Sequence, residues 1–194
     1  MFKNTKESYG LITIVFHWLM AALILFMLGL GLYMTRQPLT DPMTFKLFQL
    51  HKSVGFIVLG LAVLRLAWGF ANLKPAYPVT MKLWEKVAAI LTHKSLYLLM
   101  FLIPLSGWLV VSASPFGIPT RFFDLFTIPH LAVPSFLGGK QQATELLGEM
   151  HEFLAYILMG LVVLHVSAAL KHHFIDRDGV LRRMTSLKRS QSNL

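Results

Sequence analysis

No cysteine occurs anywhere in the 194 residues. That absence excludes disulfides, cysteine-ligated iron–sulfur clusters, thiol catalysis and the Cys-x-x-Cys-His attachment of covalent haem. A redox cofactor would have to be held by histidine, methionine or oxygen ligands. Acidic residues are scarce, nine against eighteen Lys and Arg, and all charged residues make up only 14% of the chain. No internal repeat is visible. What is abundant is apolar: hydrophobic residues reach 55% and the mean hydropathy is +0.60. Soluble domains rarely have this composition, and several apolar runs exceed the length of a bilayer crossing, so the chain reads as a polytopic helical membrane protein.

Four apolar stretches are each long enough to span: 11–34, 50–70, 87–112 and 150–170. The expected fold is all-α, an integral membrane four-helix bundle. One domain should cover 1–184, with a disordered tail over 185–194. The first stretch follows Lys3 and Lys6 as a signal peptide would, but its apolar run is too long and no small-x-small cleavage pattern follows, so a retained helix is expected.

The net charge of +9 would suggest nucleic acid in a soluble protein. Here the cations flank apolar segments and report orientation, so no nucleic-acid partner is expected. With the N-terminus inside, thirteen Lys and Arg fall on the inner side against five outside, Arg36, Lys46, Lys52, Arg121 and Lys140. Both termini are then cytoplasmic. The second outer loop, 113–149, carries four prolines among five phenylalanines, and is expected to lie on the membrane surface or to serve as a docking face for a partner. Pro104 predicts a kink in the third helix.

Histidine is costly inside a bilayer, because lipid offers its nitrogens no partner. His151 and His165 share one helix fourteen residues apart. That is nearly four turns and ~21 Å of rise, so both rings leave one face at two depths. His17 lies a little inside the start of the first helix, on the inner side, and His51 opens the second on the outer side. Depth therefore pairs His17 with His165 and His51 with His151. Such pairs suit bis-histidine haem iron, whereas zinc prefers three or four protein ligands at one point. Residue i+4 after each histidine is small: Ala21, Gly55, Ala155 and Ala169. Small residues there leave room for a macrocycle, and they equally suit close helix–helix contact.

His93 and His172, with His173, are expected about one turn closer to water than the inner pair. They read either as headgroup anchors or as a quinone or proton-transfer site. Arg65 either snorkels to the interface or pairs with a haem propionate, and Lys52 and Arg36 are propionate candidates on the outer side.

The chain is similar to the bacterial cytochrome b561 family, related to the cytochrome b subunits of nickel hydrogenases. The resemblance rests on Tyr9-Gly10, Phe16-His17-Trp18, Leu50-His51-Lys52-Ser53-Val54-Gly55 and His93-Lys94-Ser95-Leu96-Tyr97. It continues through Pro104-Leu105-Ser106-Gly107, Met150-His151-Glu152 and His165 with Lys171-His172-His173-Phe174-Ile175-Asp176. It implies a four-helix protein of the bacterial inner membrane with two non-covalent haem b, exchanging electrons with ubiquinone. His17, His51, His151 and His165 fall on its ligand positions, and His93 and His172 on its other characteristic histidines. The alternatives are a haem-bearing anchor subunit of a dehydrogenase or hydrogenase, and a superoxide:quinone oxidoreductase. A histidine-lined transporter is disfavoured because cation pathways usually use Asp or Glu, which the spans almost lack.

Overall fold

The computed structural model describes residues 2–185. Of the expected tail, Thr185 closes a short helix and 186–194 lie outside the described residues. Four long helices follow in order: α1 (Leu11–Met34), α2 (Pro42–Phe70), α3 (Leu83–Ala113) and α4 (Lys140–Phe174). Each is long and apolar enough to cross a membrane. A one-turn α5 (Arg182–Thr185) ends the described chain.

Apolar runs located the helices but not all their ends. α1 coincides with its expected span. α2 starts eight residues earlier, because the Asp41 side chain accepts the Met43 N–H at 2.8 Å and Pro42 takes the first helical position. A proline there loses nothing, since that N–H has no helical partner. α4 starts ten residues early through a polar first stretch, Lys140-Gln141-Gln142-Ala143-Thr144-Glu145, after Gly138 at φ +85°. Glu85 begins α3 by accepting the Lys82 N–H at 2.9 Å. α3 runs unbroken through Pro104.

The long connection contains structure that hydropathy does not show. Strands β1 (Thr120–Phe122) and β2 (Phe126–Ile128) form an antiparallel hairpin. Its turn places Phe123 and Asp124 at φ +47° and +59°. That strained conformation is held by ladder and tertiary bonds. Ser53, 1% exposed, takes the Phe123 N–H at 3.1 Å, and its hydroxyl donates between the Gln49 and Arg121 carbonyls. Trp108 Nε1 donates to the Pro129 carbonyl. The hairpin thus lies over one end of α2 and α3.

The opposite end gathers both described termini. Asn4 donates to the Leu73 carbonyl and accepts from Gly10 N–H and Thr13 Oγ1. Arg183 donates to the Ala76 carbonyl, and Trp18 to that of Met184. Between the ends, Met20, Val54, Val58, Ala62 and Met100 form a buried core of α1, α2 and α3. Close backbone approaches join α1 to α2, α2 to α3 and α3 to α4, and are scarce between α4 and either α1 or α2.

Candidate haem centres

That loosely packed side of α4 is where the histidines face one another. His51 of α2 and His151 of α4 have ring centroids 6.2 Å apart near the hairpin end. Near the termini end, His17 of α1 and His165 of α4 stand 6.1 Å apart. Both depth-based pairs are therefore brought together. Two imidazoles on opposite sides of one ion, with metal–nitrogen bonds of about 2.0–2.1 Å, have ring centres roughly 6.3 Å apart. The four rings are half-buried.

A common spacing builds the two levels. The fourteen-residue step of His151 and His165 recurs in every helix: position 17 to 31, 51 to 65, and 93 to 107. Helices of alternating direction then present Gly31, His51, Gly107 and His151 at the hairpin level. At the termini level they present His17, Arg65, His93 and His165. The step of nearly four turns keeps each helix's two residues on one face.

At the hairpin level the glycines touch the histidines. A Cβ on Gly107 would stand 3.0 Å from His151 Cε1 and 3.3 Å from its Nδ1, and one on Gly31 would stand 3.6 Å from His51 Cε1. His151 Nδ1 lies 3.0 Å from both the Ile103 carbonyl and Ser106 Oγ. A carbonyl only accepts, so Nδ1 carries the proton and Nε2 keeps its lone pair, the arrangement of a metal-ligating histidine. His51 Nδ1 is buried without a hydrogen-bond partner among the described residues. Ser106, Gly107 and Gly31 were not expected as site residues. Ser106 and Gly107 lie within a stretch of the resemblance, but only the fold shows that they meet His151. A Cβ on Gly55, a residue expected to leave room for a macrocycle, would stand 3.7 Å from Met27 Cε.

The termini level differs. His93 stands close to the inner pair, its ring centroid 5.3 Å from that of His165. Arg65 neither snorkels away nor meets a carboxylate among the described residues. Its Nη2 lies 3.3 Å from His17 Nδ1, and its guanidinium rests over the Tyr97 ring at 5.4 Å. Lys52 is half-buried beside His51 in sequence, and Arg36 is exposed past the end of α1.

His172 separates from His93. It is buried beyond the termini level, with Nδ1 2.7 Å from Asp178 Oδ2 and 3.0 Å from Asp176. Lys171 pairs with Asp176 at 2.7 Å and with Glu85. This network lines a small pocket and ties the end of α4 to the start of α3.

Over residues 8–187 the sequence matches the profile of the family described as Prokaryotic cytochrome b561. The chain belongs to that family. It is 37% identical to cytochrome b561 homolog 2 of Escherichia coli (strain K12) over 183 residues, 94% of each chain. It is also 29% identical to cytochrome b561 homolog 1 of the same organism, over 69% of this chain and 72% of that one. Membership makes it a multi-pass membrane cytochrome, a protein of electron transfer with b-type haem. The geometry fits that group: paired imidazoles at the spacing one iron requires, a ligand tautomer preset at His151, and glycines against the rings.

Proposed function

We propose that this cytochrome holds two haem b and carries electrons between a redox partner at the hairpin end and the quinone pool at the termini end. The observation that carries the proposal is the pair of facing histidine couples at two levels of one bundle, 6.2 and 6.1 Å between centroids. His51 and His151 would hold one haem, and His17 and His165 the other. When bound, haem supplies a one-electron ferric/ferrous couple. With each haem held by two histidines, the chemistry it would supply is outer-sphere electron transfer. The helices fix the spacing of the two levels, ~21 Å of rise along α4.

On this proposal the thirteen-to-five distribution of Lys and Arg puts the termini end in the cytoplasm of a bacterial inner membrane. Arg65 and Lys52 are candidate propionate partners. His93, exposed beside His165, is the better-placed quinone contact, and His172 with its carboxylates suits proton exchange nearer the surface. The exposed Phe116, Leu125 and Phe136 of the hairpin region favour a second reading, in which a periplasmic redox protein docks on 113–149 and the chain serves as its haem-bearing anchor.

Dithionite-reduced minus oxidised spectra of the purified protein, with haem quantified per chain, test this directly. Two b-type haems are expected, and one after His51→Ala or His165→Ala. A colourless protein would end the proposal, and a single wild-type haem would dissolve one of the pairs.

A further inference from the structure

The two levels carry different charge. At equivalent positions of α2, fourteen residues apart, stand His51 at the hairpin level and Arg65 at the termini level. Arg65 lies 3.3 Å from His17 and has no ion-pair partner among the described residues. His165 and His93 stand at the same level, His165 with its centroid 6.1 Å from that of His17 and 5.3 Å from that of His93. At the hairpin level the cation nearest in sequence to a ring is Lys52, half-buried next to His51, and among the described residues no arginine touches His51 or His151 as Arg65 touches His17. His151 instead donates its Nδ1 proton to the Ile103 carbonyl.

We propose that Arg65 is a potential-setting residue, holding the haem on His17 and His165 above the haem on His51 and His151 in midpoint potential. Electrons then settle at the termini end. This rests on the two-haem proposal above.

Two effects of opposite sign produce the gap. Ferric iron carries one more positive charge than ferrous iron, so a cation beside its ligand disfavours the oxidised state and raises the potential. As the structure stands, Arg65 donates to His17 Nδ1; an imidazole ligating through Nε2 would carry its proton on Nδ1, so the guanidinium would draw back from that atom and act on His17 through its charge. A propionate near Arg65 would leave the sign unchanged, since removing the arginine would then expose that anion. At His151, a carbonyl accepting the Nδ1 proton makes the ring a stronger donor to iron and lowers the potential. Electron occupancy is thereby biased along the membrane normal by residues that exchange no electron themselves.

Redox titration of the purified holoprotein tests the assignment, with haem content measured on each sample. In Arg65→Gln the higher midpoint should fall by at least tenfold in equilibrium, about 59 mV for a one-electron couple, while the lower stays in place. Arg65→Lys should restore most of the shift. Ser106→Ala should move only the lower midpoint. Unchanged potentials in a two-haem Arg65→Gln protein would overturn the proposal, as would a fall of the lower midpoint. Loss of one haem from Arg65→Gln would overturn it too, in favour of a purely structural anchor. Fewer than two haems in the wild type would instead undo the two-haem proposal itself.

Discussion

At His151 the protein arranges both a partner and a space for one ring. Ser106 Oγ and the Ile103 carbonyl meet Nδ1 from one side, and Gly107 lets the ring lie against α3. A methyl at 107 would sit 3.0 Å from Cε1, closer than a packed ring tolerates without moving. Gly107→Ala is therefore expected to lose one of two haems while Gly31→Ala, with a 3.6 Å contact, keeps both; pyridine haemochrome assays distinguish them. Equal haem content in Gly107→Ala and wild type would show that this ring position is not needed. Ser106→Ala should keep both haems, because the carbonyl remains, with a loss of about 0.5–1.5 kcal/mol for one hydrogen bond. The histidines were legible in sequence because a buried imidazole in an apolar helix needs an explanation wherever it occurs. Gly107 and Ser106 were not, because glycine and serine are unremarkable in a membrane helix until a ring is seen against them.

Among the elements, α2 does the most varied work. It begins at an Asp41-Pro42 cap, carries His51 and Arg65 on one face, and anchors the hairpin through Ser53. Asp41→Ala should cost about 0.5–2 kcal/mol, the usual value of such a cap, read as a lower melting temperature in detergent with haem content unchanged. Ser53→Ala removes the acceptor of the Phe123 N–H, whose residue sits at φ +47°. Faster amide exchange across 119–128 should follow, and exchange identical to wild type would mean that the hairpin holds itself. Apolar length sufficed to find four helices, since a crossing needs ~20 apolar residues. It understated α2 and α4, because Thr44, Lys46 and Gln49 interrupt the apolar residues at the start of α2 and a polar run opens α4. The Asp41-Pro42 start is readable by capping rules, whereas the β-hairpin is not: three-residue strands depend on Ser53 and Gln49, about seventy residues away.

For the whole molecule, the loose side of the bundle matters most. α4 is joined closely to α3 but scarcely to α1 or α2, so haem on the histidine pairs would stitch the bundle closed. Removing haem should lower the melting temperature and raise amide exchange in α4 more than in α2, since a ligand that binds only the folded state stabilises it by mass action. Sidedness is open to a simple experiment, because no native cysteine interferes. An impermeant maleimide should label Leu125→Cys, at the exposed hairpin, from outside intact spheroplasts. Glu7→Cys should label only after lysis, and the reverse pattern would invert the proposed orientation. The sequence by itself determined that this is a four-span membrane protein and which four histidines could pair, because lipid makes long apolar runs obligatory and polar side chains conspicuous. Only the tertiary structure decided what surrounds each pair. It put glycines and a carbonyl at one level, and an arginine and a third histidine at the other. Those neighbours come from different helices, and their meeting depends on helix direction and rotation, which no run of apolar residues encodes.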